Sequence, residues 1–171
     1  RYVAVNLSAR VLLDQALPGQ IEQLLAKYNL PGSALVLELT ESTLLSDPVR
    51  AITIINQLAG LGVGVEVDDF GTGYSSLAYL KSLPIQALKI DKSFIDDLLV
   101  DSQDRVIVES TITMAHNLGL KTVGEGVENE ATFHELVRLG IDSLQGYYFA
   151  RPLAAADMTE WLDDYHRSLE W

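Results

Sequence analysis

The sequence predicts an α/β fold, a TIM-like (β/α) barrel of which about six βα units are present, and three observations carry that prediction. Strand-like apolar runs alternate with helix-like periodic runs along the 171 residues, and such alternation builds a parallel sheet with right-handed crossovers. A polar residue stands at or near the C-terminal end of each predicted strand: Asn6, Glu38, Asp68 with Asp69, Lys89, Glu125 and Gln145. An open doubly wound sheet draws its site from the two or three strands at its switch point, whereas a barrel aims every strand end at one axis, so six contributing strands favour the barrel. Length agrees, since about 28 residues per unit would bring eight units to roughly 230, near the usual size of such barrels. Two units are then expected upstream, with residues 1–171 forming one partial domain.

Taken in order, residues 2–7 read as a buried strand, and residues 20–28 as a helix with Ile21, Leu24, Leu25 and Tyr28 on its apolar face, ended by Asn29-Leu30-Pro31-Gly32. A strand follows over 34–40. Asp47 then Pro48 give an N-cap and a proline at the first helical position, with Ile52, Ile55 and Leu58 as the buried face before Gly60 and Gly62. Residues 63–67 alternate around valine as a strand, which hands over to Asp68, Asp69 and a glycine loop entering a short helix over 77–82, capped by Ser75 or Ser76. Neighbouring side chains at such a handover need not keep to opposite faces, so both aspartates can reach one ion cluster. A fourth strand spans 87–91. The helix over 101–118 shows Ile107, Thr111, Met114 and Leu118 at helical spacing, with Gly119 to cap it. A strand over 121–125, a helix from the Asn129 cap to Leu139, a strand over 143–148 and a closing helix over 156–168 complete the pattern.

The composition narrows the function classes. Zero cysteines exclude disulfides and thiolate metal sites, so any metal must take oxygen or nitrogen ligands. A formal net charge of −12 and a pI near 4.5 argue against a nucleic-acid polymer as partner, because that needs a basic face. The longest apolar runs fall well short of the ~18 residues that mark a membrane span, and no basic-then-apolar signal segment opens the chain. The expected location is the cytoplasm, whether or not the parent protein is anchored to the inner membrane.

Carboxylates converging from separate strands repel one another once desolvated, and divalent cations resolve that conflict. The all-oxygen set Asn6, Glu38, Asp68, Asp69 and Glu125 suits Mg²⁺ or Mn²⁺ better than Zn²⁺. Adjacent aspartates suggest two ions about 4 Å apart sharing one carboxylate, an arrangement suited to in-line attack of water on a phosphodiester.

Six stretches now carry a resemblance: Val5-Asn6-Leu7-Ser8, Glu38-Leu39-Thr40-Glu41-Ser42, the run from Asp68-Asp69-Phe70-Gly71 to Ser76, Leu88-Lys89-Ile90-Asp91, Glu125-Gly126-Val127-Glu128 and Gln145-Gly146-Tyr147. Together, and in this order, they resemble the EAL domain family of bacterial cyclic-di-GMP phosphodiesterases. The resemblance implies a modified TIM barrel and Mg²⁺- or Mn²⁺-dependent hydrolysis of cyclic di-GMP to linear pGpG by water activated at two metals. It implies that Asn6, Glu38 and Asp68 hold one ion and Asp68 and Asp69 the second, with Glu125 acting at the metals directly or through water. Lys89 would hold the attacking water or neutralise charge, and Gln145 would line the site. Glu41 and Glu128 would take supporting roles, Glu41 by anchoring the loop after Asp69 that the family uses in metal binding and dimerisation; helix-terminus capping is the alternative for both. A homodimer and fusion to sensory or GGDEF cyclase-type domains are implied as well. The family's Glu-Ala-Leu motif and the arginine after it are absent from this stretch and are expected upstream. Glu66 replaces a usually small or apolar residue and Gly124 a usual alanine; Glu66 is expected one layer below Asp68, either protonated, hydrogen-bonded or paired, with Lys89 as the favoured partner and Gly124 making room for it.

Three rivals remain open. A catalytically inactive cyclic-di-GMP receptor shares the same motifs. A Schiff-base enzyme with Lys89 as nucleophile requires a lowered lysine pKa, which surrounding carboxylates oppose. A regulatory protein acting through its helices would lose metal without losing its effect.

Overall fold

The computed structural model describes residues 2–72 and 77–169; the expected cap at Ser75 or Ser76 and the loop around it lie outside them. Six parallel strands form one sheet in the order of the sequence: β1 (Val3–Asn6), β2 (Leu35–Thr40), β3 (Gly64–Phe70), β4 (Ala87–Ile90), β5 (Lys121–Gly124) and β6 (Ser143–Leu144). A doubly wound sheet would reverse its strand order at a switch point. Here each strand pairs with the one before it and the sheet curls into an α/β half-barrel, as the six strand-end polar residues predicted.

Strand alternation sorts the two faces of the sheet. Leu37, Leu39, Val65, Val67 and Leu88 point outward into a core shared with Leu44 of α3 (Glu41–Ser46) and with Ile54, Ile55 and Leu58 of α4 (Pro48–Gly60). A second core gathers Ile90, Ile95 of α6 (Lys92–Asp96), Val108 and Ile112 of α7 (Ser102–Asn117) and Leu136 of α8 (Glu130–Leu139). Glu38, Glu66, Asp68 and Lys89 therefore lie on the opposite, concave face. The caps expected at Asp47 and Asn129 form, accepting from Arg50 N and Thr132 N, and Gly140 ends α8 at φ 87°; Asp101, expected as the first helical residue, is instead a cap that accepts from Gln103 N.

Several boundaries and faces differ from expectation. The first strand is not buried: Val3 is 66% exposed, because β1 is the edge strand with a partner on one side only. On α2 (Leu17–Lys27), Ile21 is buried, whereas Leu24 and Tyr28, 54% and 62% exposed, border an apolar groove with Val3 and Leu30. The buried face of α7 runs through Val108, Thr111, Ile112 and Ala115, one residue on from the expected Ile107. The last strand stops at Leu144, where Tyr148 N donates to Val127 O and Phe149 N to Gly146 O, turning the chain instead of extending it. Three short helices had no periodic signal: α1 (Ala9–Leu12), α3 and α6, each under two turns. The short α5 (Leu77–Ser82) and the closing α9 (Ala155–Leu169) fall where expected.

Candidate active site

The site is built on Lys89. Its ammonium, at the inward position of β4, lies 2.6 Å from Glu125 Oε1, 2.7 Å from Glu38 Oε1 and 3.3 Å from Asp68 Oδ1. Three donors thus meet three carboxylates, from β2, β3 and the residue just after β5, and the side chain is only 2% exposed. Burial alone would lower its pKa, but the hydrogen bonds to Glu125 and Glu38 and the surrounding charge raise it well above the usual lysine range. A Schiff-base nucleophile needs the opposite shift, so that reading fails.

Asp68 and Asp69 are brought to one side by a bulge. The β3–β4 register shifts between Val67 and Phe70, and Asp69 adopts φ 54°, a left-handed backbone rare for a residue with a Cβ. Strand alternation would have sent the two carboxylates to opposite faces. Instead, ligand atoms of Asp68, Asp69 and Glu125 all lie within 4.8 Å of one another. Burial, then the charge of Asp68, raises the Asp69 pKa, and Asp69 hydrogen-bonds Asp91. Burial would raise Asp91 too, but bonds from the side chain and backbone N–H of Ser93 hold it low. The sequence motifs assign Asp91 no role of its own. Its place two residues after Lys89, followed by a serine that fixes it, was the available signal.

The remaining expected residues divide by position. Asn6 ends β1 in register with Glu38, on the exposed edge strand. Glu125 follows β5, half-buried, with its pKa raised by burial against the opposing pull of Lys89. Gln145 follows β6, its N–H donating to Gly124 O. With Glu125, Glu128 and Lys92 it borders a cavity of about 270 Å³. Glu128 is exposed and ion-paired to Lys92 at 2.5 Å; it does not enter the Lys89 cluster. Glu41 opens α3, buried, with Oε1 lacking a hydrogen-bond partner among the described residues. Thr40 caps that helix through the Thr43 N–H, and Glu41 is the acidic residue of its first turn.

Glu66 is buried one layer below Asp68 and in register with Glu38. Burial, then the charge of Glu38, raises its pKa. The expected ion pair with Lys89 is not formed, because the ammonium is already committed to Glu38, Asp68 and Glu125. Gly124 makes no room for it either: a Cβ there would meet Leu144, Ile95 and Leu136, on the helix side of the sheet.

A parallel half-barrel that gathers an acidic, lysine-centred cluster at its strand C-terminal ends defines an α/β barrel-type domain with a group of carboxylates close enough to hold a metal ion. The model of the EAL domain family matches residues 1–152, and the chain belongs to that family. It is 46% identical over 156 residues to the bifunctional diguanylate cyclase/cyclic di-GMP phosphodiesterase MucR of Pseudomonas aeruginosa, covering 91% of this chain and 23% of MucR. The solved MucR phosphodiesterase in complex with c-di-GMP superposes with a TM-score of 0.88, covering 92% of this chain and 64% of that one. The EAL domain of Mycobacterium smegmatis DcpA gives 0.89 at 36% identity, with 95% and 73% covered. Klebsiella pneumoniae BlrP1, solved with c-di-GMP and calcium or manganese, is 27% identical, with TM-scores of 0.82 and 0.81 over 89% of this chain and 39% of that one. The chain thus spans about a quarter of the curated relative and two thirds to three quarters of the first two solved domains. No helix among the described residues is long and apolar enough to cross a membrane.

Proposed function

We propose that this chain is the larger part of a domain that hydrolyses cyclic di-GMP to linear pGpG, and the observation that carries the proposal is the convergence of Asp68, Asp69 and Glu125 on the Lys89 cluster. The donor set fits hard cations: the ligand atoms are carboxylate oxygens, close together, and one ammonium leaves the four acids Glu38, Asp68, Asp69 and Glu125 with surplus negative charge. Asn6, Glu38 and Asp68 would hold one ion, Asp68 and Asp69 the second, with Glu125 acting at the metals directly or through water. Bound Mg²⁺ or Mn²⁺ would supply Lewis-acid polarisation of the phosphodiester and a lowered water pKa.

The chain's own residues do the rest. Lys89 fixes Glu38, Asp68 and Glu125 in one orientation and keeps a positive charge beside the reacting phosphate at any physiological pH. Burial and the charge of Asp68 raise the Asp69 pKa, so it takes up a proton, and cation binding weakens, at a higher pH than for a free aspartate. Gln145 and Glu128 line the adjoining cavity for substrate. Glu41, buried at the start of α3, takes a supporting role in this reading, and the domain pairs as a homodimer. Sensory or cyclase-type domains are attached in the parent protein, which acts in the cytoplasm.

The test uses a longer chain that carries the whole domain. Asp68→Asn and Asp69→Asn should each lower hydrolysis at least ~10²-fold, the scale of a lost electrostatic contribution to a transition state, while cyclic di-GMP still binds. Normal turnover by Asp68→Asn in Mg²⁺ would overturn the reading. Binding without hydrolysis by the unaltered domain would make it a receptor.

A further inference from the structure

Asp69 reaches the cluster only while its backbone stays left-handed, and a side chain disfavours that conformation, so contacts from elsewhere must hold it. Three contacts among the described residues do so. Asp69 N donates to Asp68 Oδ1 at 3.1 Å, and the Thr72 hydroxyl donates to Asp69 O at 2.8 Å, closing a tight turn around the buried Phe70. The third contact comes from α6. Gly71, at φ 100°, lies so close to the Phe94 ring that a Cβ there would stand 3.0 Å from Cε2. The ring therefore packs on the turn two residues beyond Asp69 and blocks it from shifting toward α6.

The same helix packs on the turn that carries Glu125. A Cβ on Gly126, which follows Glu125, would strike the Lys92 stem, and one on Gly124, which precedes it, would meet Ile95 Cδ1 at 3.3 Å. Ile95 is fully buried and ties α6 into the second core. With Lys92 and Ile95 on the Glu125 turn and Phe94 on the Asp69 turn, α6 acts as a spacer between two carboxylates whose ligand atoms lie within 4.8 Å of each other. Asp91 orients the Asp69 carboxyl through a hydrogen bond, whereas Phe94 is apolar and half-buried and acts on the backbone alone. We propose that Phe94 is a positioning residue for Asp69, holding the left-handed turn in the geometry that lets this carboxylate join Asp68 and Glu125 around a divalent cation, with the Thr72 hydroxyl as the second tether of the turn. The proposal rests on the reading of the cluster as the cation site of phosphodiester hydrolysis.

The experiment is calorimetric titration of the whole domain with Mn²⁺ in the absence of substrate, with hydrolysis of cyclic di-GMP measured separately over a range of Mn²⁺ concentrations. Phe94→Leu should weaken Mn²⁺ binding about tenfold, the lower end of the range for groups that orient metal ligands from behind. The Mn²⁺ concentration for half-maximal hydrolysis should rise by a similar factor, while turnover at saturating Mn²⁺ stays close to that of the parent. Thr72→Val, at an exposed position, should weaken Mn²⁺ in the same direction even if Phe94→Leu misfolds. Val108→Ala, which opens the second core on α7, should lower the Tm and leave Mn²⁺ affinity unchanged. Unchanged affinity in a folded Phe94→Leu domain, or in Thr72→Val where Phe94→Leu does not fold, would overturn the assignment. An equal loss of affinity in Val108→Ala would overturn it too, by reducing Phe94 to a core residue. A parent domain that binds Mn²⁺ with this sensitivity to Phe94, yet hydrolyses no cyclic di-GMP, would overturn the hydrolase reading and leave the positioning role standing.

Discussion

Single residues decide how the acidic interior is tolerated. Lys89 is the group that compensates it, so Lys89→Met should cost roughly 3–5 kcal/mol, as expected when one partner of a buried ion pair is removed. Denaturant unfolding should show that loss, and Mg²⁺ should restore part of it by neutralising the same carboxylates. The sign of the pH effect follows from the raised lysine pKa: the stabilisation is fully present below the unfolded lysine value and is lost as pH rises beyond it, so it is constant across the neutral range. Glu66 behaves in the opposite sense. Its folded pKa is raised, so the protonated form fits the fold and stability falls as pH rises from the unfolded carboxyl value through the folded one. Glu66→Gln should therefore melt higher than the parent at pH 7, and the difference should shrink at about pH 4, near the unfolded value. An unchanged melting point at both pH values would show that Glu66 is compensated by something other than a proton.

At the scale of elements, the end of the sheet is fastened by one carboxylate. Asp142, before β6, accepts from Thr122 N and Oγ1 of β5 and contacts His116 Nε2 of α7, all at 2.8 Å. Burial would raise its pKa, but the bonds from His116 and Thr122 lower it, so this clamp contributes above the unfolded aspartate pKa and is lost as pH falls through the folded one. Asp142→Ala should cost about 1–2 kcal/mol by denaturant unfolding, since the side chain is partly solvated. Elements with periodic sequence and explicit caps were legible: α4 and α8 start where Asp47 and Asn129 place them, and α7 starts one residue after the expected 101. So were the strand ends that carry Glu38, Asp68, Lys89 and Glu125, because a charged residue in an apolar run stands out. The bulge that unites Asp68 and Asp69 was legible only as a possibility, since it depends on pairing with β4. The Asp91–Ser93 support and the Lys92–Glu128 pair were not, because both are set by the short α6, which carries no periodicity.

For the whole molecule, the two ends of the sheet are its exposed parts. Along β1, Val3 and Val5 are exposed and adjoin the apolar groove of α2; beyond β6, Tyr147, Tyr148 and Phe149 are exposed. Parallel strand edges with apolar flanks pair readily with other chains. Residues 1–171 by themselves should associate with rising concentration in sedimentation experiments, whereas a chain carrying the whole domain should not do so through these edges. A monodisperse, cooperatively melting 171-residue monomer would show that the edges are better protected than their exposure indicates.

The sequential strand order also sets a timetable. Each strand finds its partner already made when it leaves the ribosome, so the sheet can be laid down during synthesis. Yet β2 and β3 bring Glu38, Glu66, Asp68 and Asp69 together before the chain has made Lys89, which lies 21 residues beyond Asp68. At translation speeds of about 5–20 residues per second, the nascent pair waits roughly 1–4 s for its cation. During that interval cellular Mg²⁺ is the available counter-charge, so a pause placed between those codons would make the yield of folded protein depend on the metal supply.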